Sequence, residues 1–352
     1  MTGHSLYNLK SLTQEELENL FASYRMPAYR VRQLVHWMYE KRAASLDEIT
    51  EFSKAFRQEL GAVAYISNLQ IVSTRNSSDG TTKFLLQLDD GQRIESVLIP
   101  DDERLTLCIS SQVGCRMGCK FCLTASVGFK RGLLAHEIVD QVITVARYIE
   151  PDRRLTNVVL MGMGEPLDNF DEVVRALWRL TTDMGISKRH ITLSTCGIVP
   201  HMLQLYRQGP EVNLAVSLNA TTDRSRSSIM PINNKYGIQE LLRACRLIPM
   251  SPRQRITFEY VLLRGVNDSM DDAKRLCSLL KGIQAKVNLI PFNEYDGAPF
   301  KRPDDGSVFR FQELLTNRQI ITFIRKSKGA DILAACGQLK YQDTSTLHDV
   351  HY

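Results

Sequence analysis

The sequence predicts an α/β protein: a partial (β/α)6 barrel with a small N-terminal helical domain in front of it and a short β-hairpin extension between the two. Three observations predict this. From Leu105 onward, short β-rich runs alternate with longer amphipathic helical patterns, which implies a parallel sheet with helices outside it. From about Ser67 to Ile99 the apolar period is two, broken by Asp79-Gly80 and Asp90-Gly91, dipeptides that favour tight hairpin turns. From Ser11 to about Leu60 the period is helical. A doubly wound open sheet is the alternative reading of the alternating region.

The elements follow in order. Thr13 is placed to cap a helix begun by Gln14, Glu15 and Glu16, with Leu17, Leu20 and Phe21 as its apolar stripe. A second helix after Pro27 carries Val31, Leu34, Val35 and Met38 at helical spacing. Strands are expected near Leu69–Thr74, Thr82–Leu88 and Arg93–Ile99. The core runs then fall at Leu105–Ser110, Asn157–Met161, His190–Thr195, Asn213–Leu218, Thr257–Leu263, Lys286–Pro291 and Ile320–Arg325. Helical patterns such as Ala135–Ile149, Asp171–Thr182, Gln239–Leu247, Met270–Leu280 and Ser307–Leu315 separate them. The resulting division is 1–65 helical, 66–100 hairpin, 101–340 core, and 341–352 a short polar tail expected to be loosely ordered. In a barrel of this kind the active site lies at the carboxyl ends of the strands.

Composition narrows the function class. The chain has 352 residues, 43% hydrophobic and 24% charged, as a globular protein does. Its net charge of +5 permits a polyanionic partner without demanding one. No apolar run approaches the length of a membrane span and the first residues lack a signal-peptide core, so a cytoplasmic protein is expected. In that reducing compartment, eight cysteines point to metal binding or chemistry rather than a disulfide framework.

The sharpest motif is Cys115-Arg-Met-Gly-Cys119-Lys-Phe-Cys122, just after the first core strand. Three thiolates this close can hold three irons of a four-iron cube and leave the fourth iron without a protein ligand. The alternatives are a zinc site or three unconnected core cysteines; zinc sites recruit a fourth protein ligand and favour CxxC pairs, and no paired CxxC occurs elsewhere. Met161-Gly-Met-Gly164-Glu165-Pro166 follows the second core strand, where glycines let backbone groups approach a ligand and a fixed carboxylate can accept from an ammonium group. A tight turn with a capping Glu is the plainer account of it.

A CxxxCxxC loop followed by a strand-borne GEP resembles the radical S-adenosylmethionine (SAM) pattern. The segments SSQVGC, NVVLMGMGEPLDN, ITLSTCGIVP, MPINNKY, GVNDS, VNLIPFN and AACGQL together resemble the RlmN branch of the RlmN/Cfr adenine methyltransferase family, from near residue 20 almost to the end. The resemblance implies a radical SAM barrel that methylates carbon 2 of an adenine in 23S rRNA and of an anticodon-loop adenine in tRNA. It implies a 4Fe-4S cluster on Cys115, Cys119 and Cys122, two SAM molecules per turnover, and a reducing partner such as flavodoxin or ferredoxin. It assigns Gly164, Glu165, Ser194, Ser217, Leu218, Asn219 and Asn293 to SAM, Cys336 to carrying the methyl group, Cys108 to a transient disulfide with it, and Glu95 to accepting a proton. The family commonly has His at the Asn219 position and an acidic residue at the Leu333 position. The carbon-8 methylating Cfr branch and a non-catalytic iron–sulfur RNA-binding or redox-sensing protein are the alternatives.

Taken on their residues alone, several of these positions read more plainly. Cys108 reads as a small core residue of its strand, and Glu95 as a strand residue facing water. Cys336, in a Gly-containing loop, is a better reactive candidate. Cys196, Cys245 and Cys277 read as buried packing residues. For RNA, Arg25, Arg30, Arg32, Lys41 and Arg42 are interleaved with Tyr24, Tyr29, Trp37 and Tyr39, a mix that suits phosphate contact and stacking or a solvated helix face with core aromatics. Lys188, Arg189, Arg224 and Arg226 are placed near strand ends as a further positive rim.

Overall fold

The computed structural model describes residues 6–150 and 153–340, so the expected tail 341–352 lies outside the described residues. Three helices come first: α1 (Gln14–Ser23), α2 (Tyr29–Tyr39) and α3 (Lys54–Gly61). Thr13 caps α1 through a capping box: its hydroxyl accepts from the Glu16 N–H, and the Glu16 carboxylate accepts from the Thr13 N–H at 2.7 Å. The rings of Phe21, Phe52 and Phe56 meet edge to face at 5.2–5.8 Å and form the local core.

Ten strands make one sheet: β1 (Gln70–Asn76), β2 (Thr82–Gln87), β3 (Arg93–Asp101), β4 (Arg104–Cys108), β5 (Asn157–Leu160), β6 (Ile191–Thr195), β7 (Asn213–Ser217), β8 (Ile256–Leu262), β9 (Ala285–Pro291) and β10 (Ile321–Ile324). They lie side by side in sequence order from β1 to β10. Neighbours from β4 to β10 are parallel, and those from β1 to β4 antiparallel. The expected hairpin extension is therefore a continuation of the core sheet. Because β1 and β10 do not pair, the barrel is open. Crossover helices are α4 (Ala135–Tyr148) after β4, α5 (Phe170–Trp178) after β5, α6 (Val199–Gln208) after β6, α7 (Asp223–Ile229) and α8 (Ile238–Leu247) after β7, α9 (Met270–Leu279) after β8, and α10 (Asp305–Asn317) after β9. That gives the partial (β/α)6 arrangement plus a last parallel strand.

The helical region is held to the core by buried charge. Lys10 is fully buried and gives its Nζ to Asp140 Oδ1 on α4 at 2.5 Å and to the Ser67 carbonyl at 2.8 Å. Arg179, just past α5, donates to the carbonyls of Lys10 and Leu12 and to the Tyr39 hydroxyl. Tyr39 and Arg42 are thus not free surface groups: Tyr39 is 2% exposed, and Arg42 donates to the Ala146 carbonyl of α4 at 3.1 Å. Tyr24 packs edge-on against Phe56. Arg25, Arg32, Lys41 and Tyr29 stay exposed.

Candidate active site

The carboxyl ends of the parallel strands and the loop after β4 enclose a cavity. Cys115, Cys119 and Cys122 line it from that loop, Gly164 and Glu165 from the turn after β5, Ser194 from β6, Ser217 and Asn219 from the end of β7, Asn293 from the turn after β9, and Cys336 from the C-terminal loop. Leu218 is on none of its walls; its side chain is fully buried and its backbone bonds to Glu259 and Arg226.

Two glycines show how tightly the walls are built. At Gly114 (φ +79°) a Cβ would lie 1.6 Å from the Gly128 carbonyl oxygen, so only glycine lets the cysteine loop fold back on the strand at Phe129–Gly132. At Gly164 (φ +104°) a Cβ would lie 2.6 Å from the Gln112 side chain. Gln112 in turn accepts from the Glu165 N–H at 3.0 Å. The Glu165 carboxylate is buried and accepts from the N–H groups of Cys196 (2.8 Å) and Leu167 (3.2 Å). Burial raises its pKa, and the bonds from Thr195, Cys196 and Leu167 oppose the rise.

Asn219 takes a left-handed backbone (φ +57°), a conformation Asn tolerates, and its amide oxygen accepts from the Val261 N–H at 2.8 Å. Asn293 donates to the Cys336 carbonyl at 3.1 Å and so fixes the C-terminal loop against the cavity. The Cys336 side chain is exposed, but into the cavity; burial, and then the nearby Glu259, push its thiol up to about 11.

Cys108 and Glu95 lie beside this cavity on one face of the sheet. Val97 on β3 is paired with Cys108 on β4 and with Lys83 on β2, and Glu95 is two residues from Val97 on the same face. Cys108 is 8% exposed; burial raises its pKa, and Cys336 adds to the rise, so the two thiols feel each other. Glu95 does not face water as expected. It is 4% exposed, Lys83 Nζ sits 3.1 Å from its Oε1, and its Oε2 makes no hydrogen bond among the described residues.

Residues 109–277 match the radical SAM superfamily model, and residues 7–66 match the model described as the ribosomal RNA large subunit methyltransferase N-terminal domain. The chain is 50% identical over 334 residues, 94% of its length and 90% of the relative's, to "Dual-specificity RNA methyltransferase RlmN" of Desulfosudis oleivorans. It is 51% identical to the protein of the same name from Geotalea uraniireducens, over 95% of this chain and 96% of that one. The chain belongs to the RlmN family of radical SAM RNA methyltransferases. A solved radical SAM methyltransferase from Sphaerobacter thermophilus superposes with a TM-score of 0.89 at 44% identity, covering 94% of this chain and 98% of that one.

An RlmN-family protein carries a 4Fe-4S cluster and SAM, and the cavity fits both. Three of the thiols that line it, Cys115, Cys119 and Cys122, come from one loop, and no histidine lines it. Among the described residues no three Cys, His, Asp or Glu side chains converge as ligands of a single ion do. Burial pushes Cys115 up to about 12; burial, then Cys122 and Cys115, push Cys119 well up too. Bare, these thiols stay protonated, and a strongly positive group such as iron is what would ionise them.

The family's signature hides residues that only the fold brings here. Glu259 on β8 lines the cavity, 8% exposed, with Asn288 donating to it at 2.9 Å; burial raises its pKa and Arg325 and Lys286 oppose the rise. A carboxylate inside the strand run Thr257–Leu263 was the available signal, since such strands are covered on both faces. Cys196 is buried as expected but also lines the cavity, beside Glu165. The expected positive rim is largely absent. Arg226 is fully buried and donates to the carbonyls of Cys196, Ser217 and Leu218 and to the Asn233 side chain, pinning the ends of β6 and β7. Lys188 and Arg189 precede β6 and so sit at the opposite end of the sheet from the cavity. Arg224 remains exposed on α7.

Proposed function

We propose that the protein methylates carbon 2 of one adenine in 23S rRNA and of an anticodon-loop adenine in tRNA, with Cys336 as methyl carrier, Cys108 as its disulfide partner and Glu95 as proton acceptor. The observation that carries the reading is that Cys336 shares one cavity with Cys115, Cys119 and Cys122, while Cys108 and Glu95 lie together on the adjoining sheet face. Gly164, Glu165, Ser194, Ser217, Asn219 and Asn293 would hold SAM, with buried Leu218 as backing.

The carbon to be methylated lies between two ring nitrogens and is electrophilic, so direct displacement on SAM does not reach it. Cys336 as thiolate first takes the methyl group of one SAM, breaking its sulfonium–carbon bond. Cluster and a second SAM together supply the one-electron chemistry that removes a hydrogen from that methyl group. The carbon then bonds to the ring, joining RNA to Cys336; the unpaired electron this leaves on the ring would pass back to the cluster, and Glu95 accepts the ring proton. Cys108 as thiolate attacks the Cys336 sulfur; the sulfur–carbon bond breaks with its electron pair going to the carbon, which takes up a proton to complete the methyl group, methylated RNA leaves, and a disulfide remains for a reducing system to reset. Two SAM are used per turnover, and flavodoxin or ferredoxin is the class of reductant the cluster requires.

Residues 1–65 form an RNA-contacting accessory domain in this reading, with exposed Arg25, Arg32 and Lys41 for phosphates and Tyr29, on whose ring Arg30 lies at 5.2 Å, for stacking. Residues 66–100 extend the core 101–340. No described helix is long and apolar enough to cross a membrane, and a cytoplasmic site of action suits RNA substrates.

The test is anaerobic reconstitution with iron, sulfide, SAM and dithionite, followed by mass spectrometry of digested 23S rRNA fragments and tRNA. The expected product is 2-methyladenosine in both. Finding 8-methyladenosine would move the chain to the Cfr chemistry, and no 5′-deoxyadenosine would favour the sensor. Cys108→Ala is expected to accumulate a covalent RNA–protein adduct, whereas Cys336→Ala accumulates none.

A further inference from the structure

The loop that carries Cys336 is fastened to the antiparallel strands by a set of polar contacts that none of the roles above uses. At the β1–β2 turn, Asp79 accepts from the Gly329 N–H at 2.9 Å. Ser77 Oγ donates to Asp331 at 2.6 Å, and the Ser78 N–H donates to the same carboxylate at 3.3 Å. Further in, Lys83 Nζ donates to the Leu333 carbonyl at 3.2 Å while standing 3.1 Å from Glu95 Oε1. Lys83 and Glu95 are diagonal neighbours on one sheet face, and both side chains are at most 6% exposed.

A buried ammonium needs its hydrogen bonds and its counter-charge, because leaving either unmet is costly. Lys83 obtains a carboxylate from β3 and a backbone carbonyl from the Cys336 loop. One side chain therefore touches both the group assigned to take the ring proton and the segment that carries the methyl-bearing sulfur. We propose that Lys83 is a positioning residue that holds Glu95 ionised and, through the Leu333 carbonyl, holds the Cys336 loop in register with it. This rests on the proposed roles of Glu95 and Cys336.

The groups facing Glu95 are Lys83 from β2, Arg75 from β1, Cys108 on β4 and the Lys340 N–H from the C-terminal loop. Burial raises the Glu95 carboxyl, and Lys83 is the foremost group opposing that rise. Glu95 acts as a base in its ionised form, so the rate rises with pH through its pKa. Removing the adjacent positive charge raises that pKa and moves the rising limb to higher pH.

The test compares Lys83→Gln, Lys83→Met, Lys83→Arg and Ser77→Ala as full-length, cluster-loaded proteins. Cluster absorbance and melting confirm that each folds. Two measurements are made: the pH profile of single-turnover RNA methylation, and the rate at which Cys336 is alkylated by iodoacetamide in the absence of SAM. Gln keeps a donor but loses the charge, so its limb is expected to move up by about one pH unit, with alkylation near the parent rate. Met loses both, so its limb moves and alkylation rises several-fold. Arg keeps the charge and holds the limb in place. Ser77→Ala loosens the loop alone: alkylation rises and the limb stays. A Lys83→Gln profile that superimposes on the parent's overturns the proposal, as does a Lys83→Met alkylation rate equal to the parent's. A variant that does not fold leaves the Gln and Arg comparison to decide. If the parent itself makes no 2-methyladenosine, the proposed function fails instead, and the alkylation arm still tests the loop contact.

Discussion

Most groups assigned to the cluster and SAM stand in the loops that follow β4, β5, β7 and β9, with Ser194, Ser217 and Glu259 on the parallel strands beside them, whereas Lys83, Glu95 and Cys108 stand on β2, β3 and β4 themselves. Gly164 and Glu165 follow β5, Asn219 follows β7 and Asn293 follows β9, each placed by a local turn. Glu95, Lys83 and Cys108 sit on three antiparallel strands and meet through register alone. A parallel sheet with helices outside it offers a ligand mainly the carboxyl ends of its strands and the loops beyond them, so most of its chemistry gathers there. An antiparallel sheet can present side chains from its face, here under the C-terminal loop. The two regions should therefore fail differently when altered: one through the cofactor, the other through timing between protein groups.

The largest effect is expected in the turn region. Cys119→Ser removes a thiol donor from the loop, and the purified protein should lose its iron–sulfur absorbance while turnover drops roughly thousandfold or more. A coloured, active variant would show that the cysteine loop is not the cluster site. Gly164→Ala comes next. The new Cβ would lie 2.6 Å from Gln112 on a backbone at φ +104°, strain of about 1–3 kcal/mol. Equilibrium dialysis with SAM should show affinity falling about tenfold or more while cluster content stays near the parent's. Unchanged affinity would mean the turn does not touch SAM.

In the strand region a smaller and more selective loss is expected. Asp79→Ala frees the Gly329 N–H and unfastens one end of the Cys336 loop. Because Asp79 is exposed, the cost is about 1–2 kcal/mol, the low range for bonds to a charged group. Methylation should slow while SAM binding and cluster content hold; a parallel loss of SAM affinity would erase the contrast between the two regions. The fastening also has a pH sense. Burial works against the Asp79 carboxylate, but bonds from Thr81, the Gly329 N–H and Ser77 hold its pKa down at about 2. A group with a depressed folded pKa stabilises above its unfolded value of 3.8 and loses that contribution as pH falls toward 2. Limited proteolysis of the C-terminal loop should accelerate across that window in the parent and less steeply in Asp79→Ala, where Asp331, whose carboxyl the Ser77 hydroxyl also holds down, remains.

The same contrast explains what could be read in the sequence. Cys115, Cys119 and Cys122 lie within eight residues of continuous chain, and the Gly164-Glu165 turn follows an obvious strand; local spacing carries both. The open (β/α)6 arrangement was legible because its strands and helices alternate. Glu95 and Lys83 were not, because their partnership depends on β2–β3 register across twelve residues, and an alternating strand does not say which of its faces is covered. Glu259 was hidden inside an apolar strand. Arg226 was misjudged for a related reason: charge suggests surface, yet four bonds to carbonyl and amide oxygens satisfy it in the interior.

Leu333 marks the point where the two regions meet, and the smallest effect is expected there. It takes a left-handed backbone (φ 53°, ψ 45°), which costs a leucine roughly 1–2 kcal/mol and which Asn and Asp tolerate. Its side chain is 37% exposed, so little burial is lost on replacement, and the carbonyl that Lys83 holds is backbone. The acidic residue that the RlmN/Cfr pattern commonly places here fits that conformation better than leucine does. Leu333→Asn should therefore raise stability by about 1 kcal/mol at most, a melting shift of about 1–2 °C in a chain this long. Methylation and Cys336 alkylation should stay close to the parent's. A lower melting temperature would instead mean that the leucine side chain, and not the backbone turn beneath it, holds the loop down.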